Sequence, residues 1–181
     1  EMELIDNINC KLGDELTKTI EKASKLSVAS ASFSIFAYQE LKKELQEIDE
    51  LRFIFTSPTF LKEKTPKEKR EFYIPQLNRE RSLYGTEFEV RLRNKLSQKA
   101  IARECADWIR QRVRFKTNPT HDQMGRFIHL RQEEEVAYAP VNGFTTVDLG
   151  KEKGNQMFSL INRIAAPLST QYLEVFDELW E

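Results

Sequence analysis

Leu26-Ser27-Val28-Ala29-Ser30-Ala31-Ser32-Phe33 alternates small residues with apolar ones and reads as a buried strand. Upstream, Leu12, Leu16, Ile20 and Ala23 recur at spacings of four, four and three, the signature of a helix, and Asp14 and Glu15 suit its N-terminus. Downstream, Ala37, Leu41, Leu45 and Ile48 share one face of a second helix whose other face carries Lys42, Lys43, Glu44 and Glu47. Leu51-Arg52-Phe53-Ile54-Phe55-Thr56 is then strongly β-prone. The resulting α-β-α-β order predicts an α/β fold in which helical crossovers favour parallel pairing on one sheet.

The chain changes character after this unit. Pro58, Pro66 and Pro75 bracket the polar run Lys62-Glu63-Lys64-Thr65-Pro66-Lys67-Glu68-Lys69-Arg70, so 58–80 reads as a loop insertion, either a lid over a ligand or a solvated excursion. A long helix is expected from about Leu83 to Arg110, with Leu92, Leu96, Ala100, Ile101, Cys105, Trp108 and Ile109 on its apolar side. Val113-Arg114-Phe115 reads as a short strand. The strands 125–131 and 136–141 flank Gln132-Glu133-Glu134-Glu135, a hairpin turn. Residues 157–164 suggest another strand, and 170–181 a helix leading towards a missing C-terminal region, because no stop signal precedes the last residue.

With 181 residues, 40% hydrophobic and 31% charged, the chain suits one globular domain spanning 1–181. No apolar run approaches the roughly 18 residues that a membrane span needs, and no secretory signal is visible. Cys10 and Cys105, far apart and without a partner motif, suggest a reducing, cytoplasmic setting. The net charge of -1 hides an asymmetry. Residues 79–116 carry 11 Lys+Arg against 5 Asp+Glu, whereas residues 117–181 carry 5 against 10. The central stretch, with Arg91, Arg93, Lys95, Lys99 and Arg103, has the sign of a phosphate-facing element; an ordinary solvated helix face is the plainer alternative.

Most catalytic constellations are missing. His121 and His129 have no third imidazole or Cys pair at ligand spacing, so no metal is expected. There is no Gly-x-Ser-x-Gly elbow, and Gly13 lacks the companions of a phosphate cradle, so no cofactor or ATP site is expected within these residues. Glu87 with Glu89, and Glu133 to Glu135, read as solvated charge.

Two segments carry more information. Met124-Gly125-Arg126 precedes the alternating strand Phe127-Ile128-His129-Leu130, and Pro140-Val141-Asn142-Gly143-Phe144-Thr145-Thr146-Val147-Asp148-Leu149-Gly150 follows the next one. Together they resemble a half-site of the phospholipase D-like phosphodiesterases. In that family a His-x-Lys opens one strand, and a Gly-Ser-Ser-Asn-Phe-Thr-type segment brings in an Asn after the hairpin. Ser30-Ala31-Ser32-Phe33-Ser34-Ile35-Phe36-Ala37-Tyr38 is similar to the family's first strand and turn. Phe176-Asp177-Glu178-Leu179-Trp180 resembles the segment joining such a domain to bacterial Swi/Snf-type or DEAD-like helicase cores.

The resemblance implies a single phospholipase D-like lobe, with a mixed, mostly parallel sheet flanked by helices on both faces. It also implies a degenerate site. Met124 stands where the family's nucleophilic His would, Arg126 replaces the Lys, and Gly143 takes the place of the Asn, with Asn142 adjacent and Thr145 retained. A thioether cannot attack a phosphodiester, but Arg126 keeps the cation and gains a bidentate fork. The implied function is a non-catalytic accessory domain binding DNA through Arg126, Asn142, Thr145 and the basic residues Arg91, Arg93 and Lys95. Its implied partners are ATP-dependent helicase domains of the same chain. The alternative is a protein-interaction or homodimerisation module with a vestigial site.

Overall fold

The strands and helices occur in the order β1 (Met2–Ile5), α1 (Leu12–Thr19), β2 (Lys25–Ser30), α2 (Ile35–Glu40), α3 (Lys42–Leu45), β3 (Glu50–Phe55), α4 (Lys95–Arg112), β4 (Val113–Thr117), β5 (Phe127–Arg131), β6 (Val136–Ala139), β7 (Ile161–Ala165) and α5 (Leu168–Trp180). They come from a computed structural model that describes residues 2–56, 95–118, 125–151 and 160–181. The insertion at 58–80, and the expected helix before Lys95, lie outside the described residues.

Seven strands form one mixed sheet in the order β1-β7-β6-β5-β2-β3-β4. The α/β class and the parallel pairing of β2 with β3 follow the crossovers read from the sequence, and the structure adds β4 as a second parallel neighbour of β3. The expectation of a mostly parallel sheet does not hold. Only those two pairings are parallel, and the four others are antiparallel. The physical reason is connectivity: the tight turn at 132–135 forces β5 and β6 to run in opposite directions. β7 continues the antiparallel series from β6, and β1 closes the sheet as an edge strand against β7.

The second predicted helix is also divided. Leu41 (φ -112°, ψ 15°) separates α2 from α3. The burial pattern survives the break: Ala37, Leu41, Leu45 and Ile48 are all fully buried. Ser34 caps α2, its Oγ accepting from the N–H groups of Phe36 at 3.1 Å and Ala37 at 3.4 Å. α1 has no cap from its own flanking residue; Asn7 Oδ1 instead accepts the Leu12 N–H at 2.8 Å.

Alternation along the central strands sorts their side chains into two clusters. Leu26, Val28, Phe53, Phe55 and Ile128 join the larger cluster, with residues of α1 to α4. Ala29, Ile54 and Phe127 join the smaller one, with Phe176 of α5 and the adjoining Tyr172 and Trp180. Trp108 and Cys105 are core residues, as expected. Trp108 stacks on Phe33 at 6.4 Å and donates its indole N–H to the Leu45 carbonyl at 2.8 Å, tying α4 to the end of α3.

The ionisable side chains of Glu15 and His129 are among the polar groups built into this interior. Glu15 of α1 accepts from Arg163 Nε at 2.9 Å and from the Tyr138 hydroxyl at 3.2 Å. His129 on β5 is fully buried, a strand histidine with Nε2 2.9 Å from Glu135 Oε1. Burial pushes its pKa down, opposed by Glu135, and Nδ1 has no hydrogen-bond partner among the described residues. Glu135 also accepts from Ser169 and Thr170 at the start of α5. These contacts tie His129 of β5, through Glu135, to the start of α5.

Candidate functional site

The register of the strands brings the two informative segments together. β2 has a parallel neighbour in β3 and an antiparallel one in β5, so the end of β3 and the beginning of β5 meet beside the end of β2. Ala29 pairs with Phe127, which places Arg126 next to Ser30. The Thr56 N–H donates to the Ser30 carbonyl at 3.0 Å, bringing Thr56 to the same edge. From β6 the chain returns there, with the Val141 N–H donating to the Arg126 carbonyl at 3.0 Å. The sheet changes from parallel to antiparallel at β2, and this edge of an open α/β sheet is where ligands commonly bind.

The return segment is locked to the one after β2. The Ala31 N–H donates to the Asn142 carbonyl at 2.9 Å, the Phe144 N–H to the Ser32 carbonyl at 2.8 Å, and the Ser34 N–H to the Phe144 carbonyl at 2.9 Å. Phe33 and Phe144 bridge in parallel, their rings stacked 5.5 Å apart. The small residues between Ser30 and Ser34 allow this approach. So does Gly143, where a Cβ would lie 2.7 Å from Ser32 Oγ and 2.8 Å from Asp148 Oδ2.

Arg126 is half-buried, and its Nε donates to Thr56 Oγ1 at 3.0 Å. Among the described residues it forms no ion pair within 4.0 Å, so no carboxylate there takes up its guanidinium. Thr145 and Asp148 form a second small unit: the Thr145 hydroxyl donates to Asp148 Oδ2 at 2.5 Å, and the Asp148 N–H donates back to Thr145 Oγ1 at 3.2 Å. Burial pushes the Asp148 carboxyl up to about 6, against the lowering effects of Thr145, the Gly143 N–H and the charge of Arg126.

Of the residues singled out in the sequence, Arg126, Gly143 and Thr145 converge at this edge. Asn142 is present through its backbone carbonyl, with its residue exposed. Met124, Arg91 and Arg93 lie outside the described residues, as does His121. Lys95 opens α4, and nothing is described of its side chain.

The described part of the basic stretch is largely engaged internally. Arg114 pairs with Glu50 at 2.6 Å, Arg110 with Asp107, Arg112 bonds the Ile48 carbonyl and Lys116 the Trp180 carbonyl.

Thr56 and Asp148 are the site residues that sequence reasoning missed. Thr56 had one signal, as the polar residue that ends the apolar run Phe53-Ile54-Phe55. Asp148 had another, its three-residue spacing from Thr145, at which a hydroxyl and a carboxylate bond locally.

A separate cleft of about 350 Å³ lies against α5 at the opposite ends of β2 and β3, lined by Lys25, Glu50, Arg52, Arg131 and Asp177. Its charges are partly matched, Arg52 meeting Asp177 at 2.8 Å. Among the described residues no group of three or more His, Cys, Asp or Glu could hold a metal ion. No helix among them is long and apolar enough to cross a membrane.

Compared with known proteins, the sequence matches no family model, and no curated protein matches it.

Proposed function

We propose that this chain is a degenerate phospholipase D-like lobe that binds the phosphate backbone of DNA without cleaving it. The observation that carries the reading is Arg126. It is held through Nε by Thr56, has no carboxylate partner among the described residues, and stands at the edge where β2, β3 and β5 meet. A guanidinium anchored at Nε keeps its terminal nitrogens for a bidentate oxyanion contact. Met124, placed where the family carries its nucleophile, supports binding without catalysis.

The distribution of the two core clusters supports the lobe reading. Residues of α1 to α4 pack with one parity of the central strands and α5 with the other, as helices on both faces of the sheet would. On the same reading the lobe is an accessory to ATP-dependent helicase domains in a cytoplasmic protein.

The test is fluorescence anisotropy of labelled single- and double-stranded DNA, wild type and Arg126→Ala, across a salt series. Affinity should fall steeply between about 50 and 200 mM salt, as counterion release requires, and the substitution should weaken it. Salt-insensitive binding, or binding indifferent to Arg126, would overturn the reading.

A second reading, a protein-interaction or dimerisation module, is favoured by one feature. Leu168, Val175 and Leu179 are exposed at helical spacing on α5. Light scattering on a gel-filtration column would count against it if the protein stayed monomeric at high concentration.

A further inference from the structure

Resting on the reading of Arg126 as a phosphate-binding residue, we propose that Asp148 is a specificity-determining residue of the same site, its ionised carboxylate opposing a bound phosphate and its protonated form admitting one.

The argument starts from position. Asp148 reaches the site from the turn after β6. The Thr145 hydroxyl donates to its Oδ2 at 2.5 Å, and the same oxygen sits 2.8 Å from the point where a Cβ on Gly143 would be. The carboxyl therefore occupies space that a side chain at position 143 would otherwise fill. The residue that resembles the family's Asn position is bare, and an acid supplied from five residues further along stands against it.

Among the described residues the charges around it are few. From the start of β5, Arg126 is the charged group among the described residues whose field reaches the carboxyl. From the segment after β2, Ser32 contributes a neutral hydroxyl near Gly143. From the β1–α1 loop, Asn7 Nδ2 donates to the Asp148 backbone carbonyl at 2.9 Å. Lys151, three residues on, is taken by Asp14 of α1 at 2.5 Å. His129 is bonded to Glu135. Arg126 forms no ion pair with this carboxylate, so its guanidinium stays free for a phosphate while its field still reaches Asp148.

A phosphate at Arg126 and an ionised Asp148 share one edge of the sheet and disfavour each other through space, so phosphate affinity and proton affinity at Asp148 are linked. Bound phosphate raises the proton affinity of the carboxyl, and protonation strengthens phosphate binding by the same factor. The burial that already pushes this carboxyl up to about 6 puts the transition in an accessible range.

Labelled oligothymidine tests this, because neither its bases nor its diesters titrate in the range used. At constant ionic strength the wild-type dissociation constant should tighten about fivefold as pH falls from about 8 to about 5. Asp148→Asn should abolish that dependence and bind near neutrality as the wild type binds in acid. Arg126-dependent binding with the same pH slope in both proteins would overturn the role of Asp148 and leave the DNA-binding reading standing. Binding that is absent, or indifferent to Arg126 at every pH, would overturn both.

A measurement on the wild type guards against misfolding of the variant. The side-chain carboxyl carbon of Asp148, followed by NMR, should titrate at a higher pH with oligothymidine bound than without it. An unchanged midpoint at saturation would overturn the proposal.

Discussion

Arg126 donates its Nε–H to Oγ1 of Thr56 at 3.0 Å, a contact between the residue before β5 and the residue after β3, 70 positions apart in the chain. The bond fixes the orientation of the guanidinium but contributes no charge to the site. Thr56→Val keeps the shape and removes the acceptor. It should weaken DNA binding by about 0.5–1.5 kcal/mol, the net worth of a typical hydrogen bond, with the salt slope unchanged. Arg126→Ala should lower that slope by about one phosphate contact. Anisotropy titrations across a salt series separate the two, and equal slopes in all three proteins would show that Arg126 meets no phosphate.

Gly143 is held close to Ser32 and Asp148, not by an unusual backbone angle. Gly143→Ala introduces a methyl group 2.7 Å from Ser32 Oγ and 2.8 Å from Asp148 Oδ2, so both must shift. Overpacking of this kind costs about 1–3 kcal/mol. Denaturant unfolding should show that loss, and the NMR titration midpoint of Asp148 should move as its contact with Thr145 is disturbed. A variant as stable as wild type would mean that the segment relaxes freely.

Glu15 is buried with its carboxylate against Arg163 and Tyr138. Arg163→Met removes the nearer, less exposed cation and leaves Glu15 only the exposed Lys18 at 3.8 Å, and breaking a buried pair from one side costs about 3–5 kcal/mol. Adding Glu15→Gln should restore much of the loss, since no uncompensated charge then remains. The double-mutant cycle in chemical denaturation is the measurement. Additive losses would show that the pair does not couple.

The raised pKa of Asp148 fixes a sign. Folding moves this carboxyl from its ordinary 3.8 up to about 6, so the folded protein holds the proton more tightly than the unfolded chain. Its contribution to stability is complete below the unfolded value and is lost as pH rises through about 6. The displacement corresponds to on the order of 3 kcal/mol. Relative to Asp148→Asn, the wild type should therefore lose stability between about pH 4 and pH 7. Asp6, held low by the N–H groups of Cys10 and Ile8, and Asp14, held low by Lys151, act in the opposite direction, but they are common to both proteins and cancel in the comparison. Parallel curves of melting temperature against pH would refute the buried acid.

Local patterns made much of the fold legible. The strands β2 and β3, the charged turn between β5 and β6, and the apolar face carrying Cys105 and Trp108 depend on near neighbours, although β2 ends at Ser30 rather than Phe33 and Ala100, expected on that apolar face, is exposed. The break at Leu41 was hidden because it leaves the burial spacing of Ala37, Leu41 and Leu45 intact. β1 was missed because a four-residue edge strand with one paired side needs little apolar signal.

By itself, the sequence determined the α/β class and the parallel pairing of β2 with β3, because strand period and helix period are local properties, whereas Arg126, Gly143 and Thr145 stand out only through the resemblance to phospholipase D-like enzymes. The tertiary structure alone decided that four of the six strand pairings are antiparallel, that Thr56 holds Arg126, and that Asp148 fills the space against Gly143. Strand order and register bring residues from separate parts of the chain to one edge, and no local pattern encodes which distant side chain will meet a given cation there.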